Sequence, residues 1–188
     1  RPDHVTLTPV NLHAVLSSCV YAVQDHRELQ ITMSVPEDLN VLADEVELAR
    51  VISNLLENAR RYGKAADTGV TSVDIAAKGR ESWVLLKLRD HGAGVPPEQL
   101  SNLTKPFFRG DSARTAAAGA GLGLSIVDKT VQRMGGIFAL ANSSTGGLVA
   151  HIQLQRATEL PAGVDPKQRL QRPAIKRQLP RKRAQDQA

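Results

Sequence analysis

The chain has 188 residues, of which 41% are hydrophobic and only 3% aromatic, and a formal net charge of +5. That length and apolar content suit one domain with some excess chain, and the scarcity of rings makes its core aliphatic. No apolar run approaches the roughly 20 residues that span a membrane, residues 1–20 lack the basic start of a signal peptide, and the lone Cys19 cannot form an internal disulfide, so the composition points to the cytoplasm.

The charge is unevenly spread. From Arg156 onward there are nine Lys and Arg against three acids, whereas the rest of the chain has fifteen basic and sixteen acidic residues. That tail contains Pro161, Pro166, Pro173 and Pro180 and no amphipathic period, so residues 157–188 read as a basic, solvated extension and residues 1–156 as the domain. There is no internal repeat.

Taken in chain order, Asn11 to Gln24 is amphipathic, with Leu12, Val15, Leu16, Cys19, Val20 and Val23 at helical spacing. Cys19 there reads as a small buried hydrophobe. Leu29 to Val35 alternates, with Ile31, Met33 and Val35 on one face, and Pro36 closes the strand. Asp44 is an N-cap for a helix running to Tyr62, which Gly63 ends. Val70–Ala77 and Ser82–Arg89 are two strand patterns joined at Lys78-Gly79-Arg80-Glu81, hence a hairpin. Gly123 to Met134 is helical, stopped by Gly135-Gly136, and Ile137–Ala141 and Leu148–Gln155 form a second strand pair. The sum is a two-layer α/β sandwich: one mixed, mainly antiparallel sheet with helices on one face.

Three elements carry chemistry. On the helix after Asp44, Asn54, Asn58 and Arg61 form a polar stripe beside the apolar face of Leu48, Val51, Ile52, Leu55 and Ala59. An amide offers a carbonyl oxygen to a hard cation and N–H donors to phosphate without adding negative charge; a polar helix edge in water is the plain alternative. Asp90-His91-Gly92-Ala93-Gly94-Val95-Pro96 follows a strand. A carboxylate there accepts from an exocyclic amine such as that of adenine, and the glycines let the backbone turn sharply, although a tight turn alone would explain them. Gly119-Ala120-Gly121-Leu122-Gly123-Leu124 opens a helix and exposes backbone N–H groups to an anion. It is neither a P-loop, since no Gly-Lys-Ser/Thr follows, nor a dinucleotide fingerprint, since the third glycine comes one residue early. Ahead of it, Phe107 and Phe108 anchor an Ala/Gly-rich stretch that reads as a mobile lid, in which Arg109 and Arg114 are within reach of phosphates.

In this order, the run Asn54-Leu-Leu-Glu-Asn58-Ala-Arg-Arg61-Tyr62, then Asp90-His-Gly92-Ala-Gly94, then Phe107-Phe108-Arg109, then Gly119-Ala-Gly121-Leu-Gly123-Leu124 resembles the asparagine, first glycine, phenylalanine and second glycine boxes of bacterial sensor histidine kinase catalytic domains. The resemblance covers about residues 8–155 and is strongest to osmosensor (EnvZ-like) kinases. It implies the Bergerat sandwich shared with DNA gyrase B, MutL and heat-shock chaperone ATPases, with ATP and Mg²⁺ as ligands. By that resemblance Asn54 holds Mg²⁺ and acts with Arg61 on the transferring phosphate. Asn58, Arg61 and Tyr62 line the phosphate and ribose side, Asp90, Gly92 and Gly94 the adenine pocket. Phe107, Arg109, Arg114, Gly119, Gly121, Leu122, Gly123 and Leu124 belong to the lid and triphosphate cover.

The implied reaction passes the γ-phosphoryl to a histidine on a separate dimerisation domain of the same kinase, then to a response regulator. The fragment is then the cytoplasmic domain of an inner-membrane sensor, touching membrane only through an N-terminal part, with no nucleic acid expected. None of His4, His13, His26, His91 and His151 stands before an acid and shortly ahead of a proline, as a phosphoacceptor does in this family. His91 replaces the asparagine common after the aspartate and reads as a loop-surface residue. The hydrolysing relatives carry a glutamate base four residues before the metal asparagine; here that position is Arg50, which cannot accept a proton. A hydrolase, a serine kinase of the anti-sigma type and a nucleotide-sensing module without catalysis are the rival readings; a nucleic-acid binder rests on the tail alone.

Overall fold

The computed structural model describes residues 5–105 and 123–158. Two short strands form a small sheet of their own, with an isolated bridge from Val41 to Arg156 beyond the main sheet's last strand. β1 (Thr8–Asn11) runs antiparallel to β3 (Asn40–Ala43), Thr8 opposite Ala43 and Asn11 opposite Asn40. Four residues are too few to show a strand period, so the expected single sheet is in fact a large sheet with this small one beside it. Asn11 also starts the first helix, α1 (Leu12–Val23): its side-chain oxygen accepts from the Ala14 N–H at 2.9 Å.

The main sheet has the order β2–β4–β5–β7–β6. It is built from β2 (Leu29–Ser34), β4 (Thr71–Gly79), β5 (Trp83–Asp90), β6 (Ile137–Asn142) and β7 (Leu148–Gln155). β2 is parallel to β4 and every other pairing is antiparallel, giving the mixed, mainly antiparallel sheet that the sequence implies. Alternate residues turn to one face and are buried there: Val73 and Ile75, Val84, Leu86 and Leu88, Ile152 and Leu154. They share one core with Leu12 and Leu16 of α1, Leu48 and Ile52 of α2 (Glu45–Tyr62), and Val127 and Val131 of α3 (Gly123–Arg133). Cys19 is a buried free thiol within it.

α2 is the element that carries the polar stripe, and its ends are secured locally. Asp44 Oδ1 accepts the Glu47 N–H at 3.1 Å; Glu45 and Glu47 lie in the first turn, Arg60 and Arg61 in the last, each sign favoured by the helix dipole. Gly63 ends the helix as expected but for another reason. Its φ is −97°, open to any residue, yet a Cβ there would lie 2.7 Å from the Cβ of Asp90. The β4–β5 turn is tighter than the sequence suggests: β4 continues through Gly79, and Arg80 N–H bonds to the Trp83 carbonyl at 2.7 Å.

Thr71, on the core face of β4, is fully buried and its hydroxyl has no hydrogen-bond partner among the described residues. An unsatisfied buried hydroxyl costs about 1–3 kcal/mol. Thr71→Val keeps the branched shape and removes that cost, so its thermal midpoint should lie roughly 2–4 °C or more above wild type. A lower midpoint by calorimetry would mean that the hydroxyl is satisfied in solution.

Candidate nucleotide site

The site lies where α2, the ends of the sheet strands and the start of α3 meet. Leu55 and Ala59 of α2, Val73, Leu88, Leu140 and Ala150 of the sheet, Leu148 and Leu124 wall an apolar pocket. Two polar side chains enter it, Asn58 and Asp90. Apolar walls with a few convergent polar groups are the usual lining of a small-molecule site.

Asp90 ends β5 and is 6% exposed. One carboxylate oxygen, Oδ1, accepts the backbone N–H of Gly92 at 3.0 Å and of Leu148 at 3.1 Å. Oδ2 accepts no hydrogen bond from the described residues and is left for a ligand donor. Small residues let the chain close around this carboxylate. A Cβ on Gly92 would sit 2.9 Å from the Gly63 backbone, and one on Gly147 (φ +87°) would fall on the Asp90 carbonyl oxygen. Gly94 adopts φ +73°, the left-handed region that glycine enters freely.

Asn54 lies one turn before Asn58 on the same side of α2, partly exposed. Neither amide hydrogen-bonds to the described residues, so both keep their full capacity for a ligand. No group of three or more His, Cys, Asp or Glu stands ready for a metal among the described residues. A neutral amide one helical turn from a pocket residue fits a Mg²⁺ that takes most of its oxygens from phosphates and water. Arg50, one turn further back, pairs with Glu47 at 3.1 Å on the surface. Tyr62 closes α2, half-buried.

Arg61 is tied to its own helix: its Nε donates to Glu57 Oε1 at 2.9 Å, while Arg60 binds both Glu57 oxygens at 2.6 and 2.9 Å. Hydrogen bonding from Arg60 above all, with Arg61 assisting against partial burial, holds the Glu57 carboxyl down at about 2. A carboxylate lowered in the folded state adds stability above its ordinary pKa, and that contribution disappears as pH falls through the folded value. Glu57→Gln should therefore be less stable than wild type at neutral pH, by a small amount because the side chain is 43% exposed, and should match it near pH ~2. Urea midpoints across that acid range check this; a gap that widens toward low pH contradicts the assignment.

His91 is exposed as expected, but it is not idle: its Nε2 lies 2.7 Å from Asp74 Oδ2 on β4. Gly123 opens α3 and Leu124 lines the pocket. Phe107, Arg109, Arg114, Gly119, Gly121 and Leu122, and with them the expected lid, lie outside the described residues. Four further residues shape the site: Gly63, Asn142, Gly147 and Leu148. Gly63 was visible in the sequence as a helix stop; Asn142, Gly147 and Leu148 act through contacts with residues far away in the chain.

An α/β sandwich with a buried carboxylate in the lining of an apolar pocket is the arrangement that the sequence motifs imply. Residues 43–158 match the family described as histidine kinase-, DNA gyrase B-, and HSP90-like ATPase. The signal transduction histidine-protein kinase BaeS of Escherichia coli K12 is 33% identical over 156 residues, 81% of this chain and 32% of BaeS. Among solved structures, the mycobacterial sensor histidine kinase MprB superposes with a TM-score of 0.69 at 25% identity, over 79% of this chain and 97% of that one. Full-length ShkA in complex with AMPPNP has a TM-score of 0.69 at 24% identity, over 84% of this chain and 33% of that one. The chain belongs to the histidine kinase-, DNA gyrase B- and HSP90-like ATPase family, and the relatives it resembles in sequence are sensor histidine kinases. It spans about a third of the length of the curated relatives that it matches.

Proposed function

We propose that this domain binds ATP with Mg²⁺ and presents the γ-phosphoryl to a histidine on the dimerisation domain of its own kinase, for relay to a response regulator. The observation that carries the reading is Asp90, buried in the lining of an apolar pocket with one carboxylate oxygen uncommitted among the described residues. That oxygen meets the N6 amine of adenine, whereas guanine presents an acceptor there. Asn58 and Tyr62 line the phosphate and ribose side, and Arg61, steadied by Glu57, faces the transferring phosphate. Asn54 holds Mg²⁺, which when bound neutralises charge on the phosphates.

Arg50 at the position of the hydrolytic base favours transfer over hydrolysis, because a guanidinium accepts no proton. None of the five histidines stands in a phosphoacceptor context, so the acceptor lies elsewhere. No described helix is long and apolar enough to cross a membrane, which fits a domain on the cytoplasmic side of a sensor anchored through another segment. The narrower likeness to osmosensor kinases rests on the motifs alone. The division into a 1–156 domain and a 157–188 basic tail rests on the change in composition, and no nucleic-acid role is assigned to that tail.

The chain mixed with radiolabelled ATP should acquire no acid-labile label. Adding a helical phosphoacceptor domain in trans should place label on that partner, because alignment of nucleophile and phosphoryl supplies much of the rate. Label on this chain alone would refute the external acceptor, and rapid ATP turnover would revive the hydrolase reading.

A further inference from the structure

Asn142 ends β6, the edge strand of the main sheet, and is remote in sequence from the Asp90 loop. Its side chain nevertheless grips that loop at two points. Asn142 Oδ1 accepts the Val95 N–H at 2.9 Å, and Asn142 Nδ2 donates to the Val95 carbonyl at 2.6 Å. A primary amide carries donor and acceptor side by side, so it pairs with one residue's N–H and C=O as a neighbouring strand would. The grip needs Gly94: a Cβ there would lie 2.7 Å from Asn142 Oδ1.

The far side of the clamp is also anchored. Arg89 donates to the Gly146 carbonyl at 2.9 Å and to Thr145 Oγ1 at 2.7 Å, holding the β6–β7 turn. That turn delivers Leu148, whose N–H binds Asp90 Oδ1. Val95 is buried against Leu148, with Leu124 and Leu140 packed alongside, and these three leucines wall the pocket. The segment from Asp90 to Val95 is therefore fixed at its start by Leu148 and at its end by Asn142. We propose that Asn142 is a positioning residue for nucleotide recognition: it sets the path of the Asp90–Val95 loop and so aims the Asp90 carboxylate at the base, without touching the ligand. The proposal rests on the reading that Asp90 recognises adenine.

Asn142 is exposed, so its truncation opens no core cavity. In Asn142→Ala both contacts to Val95 go. In Asn142→Asp the shape stays, but a carboxylate oxygen replaces the donor against the Val95 carbonyl. Both variants should bind ATP roughly tenfold more weakly by calorimetry, the loss of one or two oriented hydrogen bonds. They should also bring the affinities for ATP and GTP closer together, and Val95 N–H exchange should quicken while the core of β5 and β7 stays protected. A role in stability alone would lower the thermal midpoint and leave the ATP-to-GTP ratio as in wild type, which would overturn the proposal. Asp90→Ala is run in parallel. If it abolishes the ATP preference while both Asn142 variants keep it, the clamp is wrong and the site reading stands. If Asp90→Ala keeps the preference, the site reading fails and the proposal falls with it. Should Asn142→Ala not fold, Asn142→Asp decides alone.

Discussion

Asp90→Ala is expected to bind ATP about ten- to hundredfold more weakly than wild type, the cost of one hydrogen bond to a charged group at about 1.5–3 kcal/mol. The variant should also lose midpoint, because Oδ1 now serves the N–H groups of Gly92 and Leu148, and both are left without their acceptor. Asp90→Asn separates the two effects. Its amide oxygen can still accept from both backbone groups, so the fold is kept, while its NH₂ replaces the acceptor aimed at the ligand. That donor repels the adenine amine and matches the guanine O6, so the ratio of ATP to GTP affinity should fall in Asp90→Asn beyond its fall in Asp90→Ala. Calorimetric titration of each variant with both nucleotides measures the ratio. Unchanged preference in both variants would remove Asp90 from base recognition.

Asn54→Ala should reduce Mg²⁺-dependent phosphoryl transfer to an acceptor domain by about two orders of magnitude or more, the scale for losing a preorganised group that stabilises transferring charge. The same change should leave the fold intact. Asn54 is partly exposed on α2, its amide bonds to none of the described residues, and alanine is the better helix former. Midpoint equal to or slightly above wild type, with transfer lost, is the expected pair of results. Transfer retained at wild-type Mg²⁺ dependence would move the metal position off Asn54.

Local patterns were legible in the sequence because they need only near neighbours. The 3.6-residue stripe of Leu48, Val51, Ile52, Leu55 and Ala59 placed α2 with its cap at Asp44, period-two alternation placed β2, and strand-like runs between turn residues placed β4, β5 and β7. β1 and β3 were not legible: at four residues each, they are strands only because they find each other across α1 and β2. The parallel pairing of β2 with β4 is likewise a matter of which edge the chain returns to.

For the site, the sequence by itself determined the chemical cast: two amides and an arginine on one helix, a carboxylate at a strand end, and glycines after it. Tertiary structure alone decided how that cast is held. Gly63 reads as a helix stop and is one, but only the fold shows that the Cβ of Asp90 lies against it and leaves no room for a side chain. His91 reads as loop surface and is exposed, and only the fold brings Asp74 of β4 to 2.7 Å from it. Asn142 and Leu148 carry no signature at all, since an amide and a backbone N–H are ordinary until folding carries them 47 and 58 residues along the chain to Val95 and Asp90. Side-chain type is a property of one position and can be read singly. Aim and rigidity are properties of pairs, and those pairs exist only once sheet register has brought distant residues into contact.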